Sequence, residues 1–443
     1  MRPSLGALLA LFCASALTGA AVTSSADWPQ WRGPTGTGVA AHADPPITWS
    51  EAENVRWKVP LPGKGLSTPI VTGDRLFLTT AVPHGESMAP VEPQHDGAHD
   101  NLEPLMQLEF RVLAFDRRDG GLLWQRTVRD ARPHEGTHVT GSWASASPVT
   151  DGERVFAFFG SQGIFALDLD GQLLWQRDLG DMSIFHGHGE GSSPALHGEI
   201  LVLNWDHQGG SFIVALDKRT GAERWRVARD EITSWSTPLV VEHGGRAQVI
   251  VSATRRTRAY DLATGNLIWE VGGLSRNVVA SPVAGGGLAF VGSSYDTRAM
   301  LAIRLDRATG DVSGGEAIAW SRARDTPYVP SPILYDGALC FIKHLQNVLT
   351  CVDAETGDTL HGPRRIPGSQ GVFASPVGAA GRIYITSRDG TTAVLGRGGD
   401  YSLLAANRLD DSFSASAAIA GDELFLRGER YLYCLGRPPL AEQ

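Results

Sequence analysis

Apolar residues fall in short runs separated by glycine turns along most of the chain, and no amphipathic helical stretch of useful length interrupts them. Short apolar runs bounded by turn residues predict short antiparallel strands. One script repeats. A Ser/Thr-Pro pair leads into a short apolar strand and a turn glycine, as in Pro148-Val149-Thr150-Asp151-Gly152. Eight positions past the proline the second strand carries Phe77, Phe156, Val202, Phe290, Cys340 or Tyr384. The third strand ends in Asp, and a tight turn closes on Gly, as at Asp168 and Gly171 or Asp217 and Gly221. Such a turn needs Gly for positive φ and Asp to bond the local backbone. The fourth strand carries Trp124, Trp175, Trp225 or Trp269, with Trp320 displaced by an insertion. These tryptophans are expected to pack blade against blade.

The Ser/Thr-Pro pairs stand at Thr68-Pro69, Ser147-Pro148, Ser193-Pro194, Thr237-Pro238, Ser281-Pro282, Ser331-Pro332 and Ser375-Pro376, with a degenerate copy at Ser416-Ala417. Most are spaced by about 45 residues, the period of a repeat array. Four antiparallel strands per repeat make a propeller blade, so the expectation is an all-β, eight-bladed propeller over residues 27–436. The last copy lacks a fourth strand. Asn54-Val55-Arg56-Trp57-Lys58-Val59 supplies one, so an N-terminal strand should close the ring and remove its exposed edges.

Composition adds exclusions. The 443 residues are 42% hydrophobic, enough for a large core, and the net charge is -9 with no Lys/Arg cluster. Nucleic acid and anionic membrane surfaces are therefore poor partners. Residues 1–26 read as a signal peptide: Arg2 is the only charge before Asp27, Leu5 to Leu17 is apolar, and small residues follow. An exported protein, periplasmic or secreted, is expected, with no transmembrane span, a short tail at 437–443 and a monomeric state. Cys351 and Cys434 fall where other repeats carry Ala114, Ala166, Ala215 and Ala259, and read foremost as small buried residues in the place of Ala; a Cys340–Cys351 cross-strand disulfide is the second reading. An insertion at about Ala81 to Gln107 in the first blade should form a flap on the funnel face. Its His95 and His99 read as part of a solvated loop rather than a metal site.

The unit Ala215-Leu216-Asp217-Lys218-Arg219-Thr220-Gly221-Ala222-Glu223-Arg224-Trp225 resembles the Ala-x-Asp-x-x-Thr-Gly-x-x-x-Trp repeat of pyrroloquinoline quinone (PQQ) propellers. That superfamily contains quinoprotein alcohol dehydrogenases and the outer-membrane assembly protein BamB, which binds no quinone. The opening Asp27-Trp28-Pro29-Gln30-Trp31-Arg32-Gly33-Pro34 resembles the start of exported PQQ-binding-like propeller proteins. The resemblance specifies fold far more than activity.

Lead-in loops to each first strand, together with the loops between second and third strands, should form one funnel face. His134, His138, Trp143, His186, Asp325 and Phe373 fall there, and Trp205, Asp206, His207 and His344 join them. His188, Glu190, Trp235, Arg276, Asn277 and Tyr328 are the first candidates for binding a ligand or cofactor. Trp143, Trp205 and Trp235 also suit carbohydrate or peptide recognition. The resemblance allows PQQ and calcium as cofactors: Glu190, Asn277, Asp325 and Trp235 are the residue types for oxygen ligands, a carboxylate base and a ring floor, but their positions do not match the family's catalytic pattern residue by residue. The vicinal Cys-Cys of many such dehydrogenases and any Cys-x-x-Cys-His haem motif are absent. No catalytic residue and no metal-ligand set is assigned. The expectation is a binding or scaffold module holding a small-molecule ligand or a protein partner on its funnel face; the alternative is a PQQ/calcium oxidoreductase of alcohols or sugars.

Overall fold

The structure, a computed structural model, describes residues 27–91, 97–343, 346–397 and 400–437. Residues 1–26, expected to be a signal peptide, most of the C-terminal tail, His344 and the insertion residues Glu92, His95 and Asp96 lie outside the described residues.

Eight antiparallel sheets surround an axis. Blade 1 comprises Ile70–Thr72, Arg75–His84, Gln107–Asp116 and Leu122–Ala131, and blade 2 comprises Val149–Thr150, Arg154–Phe158, Ile164–Asp168 and Leu173–Arg177. The pattern continues to blade 8, where Ala418–Ala420, Glu423–Arg427 and Tyr431–Leu435 are completed by Val55–Pro60. In that pairing Trp57 stands opposite Cys434, so the ring closes as the unmatched ends require. Two blades gain a parallel edge strand: Val39–Ala40 beside Val377–Ala379, and Gly310–Asp311 beside Leu267–Val271.

Tryptophans join neighbouring blades. Indole Nε1 of Trp124 donates to Leu169 O at 2.9 Å, Trp175 to Lys218 O at 2.9 Å, Trp225 to Leu262 O at 2.9 Å and Trp320 to Ala354 O at 3.0 Å. Trp57 does the same across the closure, to Arg117 O at 2.9 Å. Each ring lies on the turn glycine of the next blade. A Cβ at Gly221 would stand 2.6 Å from the Trp175 ring, so the repeat's Gly serves the approach of a ring as well as its own φ of 67°. Trp269 differs. It is fully buried and donates instead to Gln248 Oε1 at 2.9 Å.

Near the axis the Ser/Thr residues form a relay. The backbone N–H of Thr68 donates to Ser147 Oγ, Ser147 to Ser193, Ser193 to Thr237, Thr237 to Ser281, Ser281 to Ser331, Ser331 to Ser375 and Ser375 to Ser416, all at 2.8–3.0 Å. The first strands are too short to satisfy these groups by themselves, so each blade supplies the acceptor its predecessor lacks. The N-terminal segment crosses the axis. Buried Arg32 donates to the carbonyls of Pro376 and Pro332, both at 2.6 Å, and Trp31 Nε1 reaches Ser416 Oγ at 3.4 Å.

Three expectations change. Cys340 and Cys351 are directly paired in neighbouring strands and form a disulfide, with Cα atoms 4.0 Å apart; the direct cross-strand position overrides the reading of Cys351 as an unpaired Ala substitute. Cys434 is the free, buried one. The insertion also begins later than its composition suggests, because the ladder runs on through Pro83 opposite Leu108 to His84 opposite Gln107. Trp205 is core, 2% exposed and stacked on Phe212 at 5.4 Å, so it offers no face to a sugar. Among the described residues no helix is long and apolar enough to cross a membrane.

Candidate functional site

The lead-in loops and the relay surround a central cavity of about 330 Å³. Five of the six first candidates meet in its wall: His188, Glu190, Trp235, Asn277 and Tyr328. Arg276 does not. It is exposed, and its guanidinium is paired with Asp296 at 2.7 Å. Its neighbour Asn277, with φ of 54°, turns the chain so that one residue faces the axis and the other the rim.

Aromatic rings and hydroxyls dominate the wall. Trp235 is fixed by its Nε1–H to Gly189 O at 2.7 Å. Tyr328 stacks on Tyr295 at 5.9 Å and bonds Asn277. Burial raises the Tyr328 hydroxyl to about 12, so it stays a neutral donor. Phe373, Trp31 and the relay residues complete the surface, and no Lys or Arg is among the described lining residues.

The flap sits at the mouth. Asn101–Leu102 pairs with Thr137–His138, and His99, His138, His186 and His188 pack together with ring centroids 4.6–5.3 Å apart. His188 Nε2 donates to His99 O at 3.2 Å, and His186 Nδ1 to Gly97 O at 3.0 Å. Burial, then the neighbouring His138, lowers His188 to about 4. His138 is lowered for the same first reason.

Glu190 also borders a second, smaller cavity of about 30 Å³, with His134, Glu135 and Trp143. Ser161 N–H and its hydroxyl both donate to the Glu190 carboxylate, the former at 2.8 Å. Glu135 is buried and takes Ile184 N–H at 3.2 Å. Desolvation raises Glu135 to about 8 and also pushes Glu190 up. Asp206, by contrast, is consumed structurally. It holds buried Arg229 in a two-bond pair at 2.7 and 3.0 Å and accepts Ser234 at 2.7 Å.

Sequence reasoning missed Glu135, Ser161 and Asn204. The proximity of Glu135 to the flagged His134 was a usable signal; nothing local marks the other two.

PQQ is a tricarboxylate whose bound form needs cationic or clustered N–H partners, and its calcium needs several oxygen donors. Among the described residues lining the central wall there is no Lys or Arg. Asp325 pairs with Lys343 Nζ at 2.8 Å and is not among the residues lining the central cavity, which Glu190 and Asn277 do line. The residues present do not fit the quinone with its calcium.

A family model described as outer membrane protein assembly factor BamB matches residues 39–184 and 160–399. Methanol dehydrogenase [cytochrome c] subunit 1 of Methylobacterium organophilum is 28% identical over 145 residues, covering 28% of this chain and 22% of that protein; the chain thus matches about a fifth of that relative's length. BamB of Moraxella catarrhalis superposes with a TM-score of 0.54 at 13% identity, over 83% of this chain and 99% of the other. Quinohemoprotein alcohol dehydrogenase of Comamonas testosteroni gives 0.60 at 10% identity, over 96% and 83%. At these identities the structural likeness concerns the fold.

Proposed function

The chain belongs to the PQQ-like propeller family whose model is described as outer membrane protein assembly factor BamB, and from that membership we propose that it is an exported binding or scaffold module, taking a neutral ligand or the tip of a protein partner into its funnel. The observation that carries this reading is the central wall: aromatic rings and hydroxyls around about 330 Å³, with no Lys or Arg among the described lining residues. Such a surface suits a ligand with apolar faces and hydrogen-bonding edges, and it suits a tricarboxylate poorly. Trp235 and Tyr328 supply faces, Asn277 and the relay hydroxyls supply polar contacts, and the flap over His188 shields one side of the mouth.

Titration of the purified protein with PQQ plus calcium, and in parallel with neutral oligosaccharides and short peptides, tests the reading by tryptophan fluorescence. A saturable signal from a neutral sugar or peptide, lost in Trp235→Ala, is expected. Saturable quinone absorbance with dye reduction by an alcohol would overturn it in favour of an oxidoreductase.

A further inference from the structure

Three side chains from two lead-in loops converge beside the central cavity. Ligand atoms of His134, Glu135 and Glu190 all lie within 4.8 Å of one another. His134 Nε2 donates to Met182 O at 2.7 Å, so its tautomer is fixed and Nδ1 carries the lone pair. That Nδ1 is buried and has no hydrogen-bond partner; the nearest carboxylate, Asp181, is 3.9 Å away. An imidazole oriented by a backbone carbonyl through its second nitrogen is the usual outer-sphere arrangement of a metal-binding histidine. The carboxylates are oriented too. Ile184 N–H holds Glu135, and Ser161 holds Glu190 while accepting Met182 N–H at 2.7 Å. A separate feature lines the same cavity: Asn204 is 2% exposed, and its Oδ1 has no partner.

We propose that His134, Glu135 and Glu190 bind one divalent transition-metal ion, with zinc the preferred occupant. One imidazole and two carboxylates suit zinc over calcium or magnesium, which prefer all-oxygen cages. Bonds of about 2.0–2.2 Å require each ligand to move inward by less than about an ångström. The cavity of about 30 Å³ leaves room for the ion and a water in the open position. Because Glu190 borders both cavities, the ion would stiffen the wall of the central one.

The test uses the full chain, stripped with chelator and dialysed against ZnCl₂, with bound metal measured by mass spectrometry and affinity by calorimetry. One zinc per chain is expected, with a raised Tm. His134→Ala and Glu190→Gln should each weaken binding at least tenfold. Their metal-free Tm values, and the Co²⁺ visible spectrum of the wild type against His134→Ala, separate ligand loss from misfolding. The double variant His99→Ala/His188→Ala should retain the ion. Zinc binding absent in the wild type, unaffected by His134→Ala, or abolished only by the His99/His188 variant would overturn the assignment.

Discussion

The Glu190 carboxylate rests on the backbone of Gly160. A Cβ at Gly160 would stand 1.3 Å from Glu190 Oε2, and the next residue's N–H donates to that oxygen at 2.8 Å. Gly160 also has φ of 56°, so the position excludes side chains for two independent reasons. Gly160→Ala is expected to destabilise by more than about 1–3 kcal/mol, the backbone cost alone. Gly198 has φ of 55° with open space around it, so Gly198→Ala reports that backbone cost. Equal denaturation midpoints for the two variants would show that Glu190 does not occupy this place.

The relay predicts an asymmetric response at Ser193. Ser193→Ala leaves the buried Ser147 N–H without its acceptor, which costs about 1–3 kcal/mol. Ser193→Thr should be close to neutral, since Thr237 does the same task for Ser193 in the next blade. Urea unfolding of the two variants decides it; an Ala variant as stable as wild type would remove the relay as a source of stability.

Trp175→Ala removes the bond to Lys218 O and exposes the Gly221 turn. A loss of about 3 kcal/mol is expected, at the lower end for Trp truncation because the ring is only half-buried. Thermal melts would contradict this if Tm fell no further than in a surface variant such as Arg219→Ala.

The histidine cluster makes flap closure pH-dependent. A neutral imidazole whose pKa falls on closing binds its proton less readily than when open, so closure weakens as pH drops from about 6.5 toward the His188 value near 4. Asp100 opposes this at His138, whereas His99, Arg388 and Lys64 reinforce it. Amide protection at Asn101 and Leu102, corrected for intrinsic exchange, should fall between pH 6.5 and 4.5 and change little between 7 and 8. In His188→Gln the drop should shrink. Protection that is flat across the acid range would contradict the account.

The blades were readable because their chemistry is local. An Asp-to-Gly turn needs only its own hairpin, a Trp recurring four residues later marks each repeat even though its ring packs on the next blade, and Trp57 with its strand could be matched to blade 8 by what the last repeat lacks. Asp206 and Trp205 show the limit. Trp205 ends a second strand and Asp206 begins the loop after it, where polar and aromatic residues suggest a ligand, yet Asp206 meets Arg229 and Trp205 meets Phe212 inside the fold. The Cys pair depended on register, which a single turn residue can shift.

The repeat alone determined the ring, the count of blades and the funnel-facing position of His188, Glu190, Trp235, Asn277 and Tyr328, since strand periodicity and turn residues act over a few positions. Only the tertiary structure decided that Arg276 leaves the wall, that Asp325 is taken by Lys343, and that Glu190 meets His134, Glu135 and Ser161. Those outcomes depend on which loops adjoin around the axis. There, burial and partner choice are settled between residues on different strands and loops, beyond the reach of any local pattern.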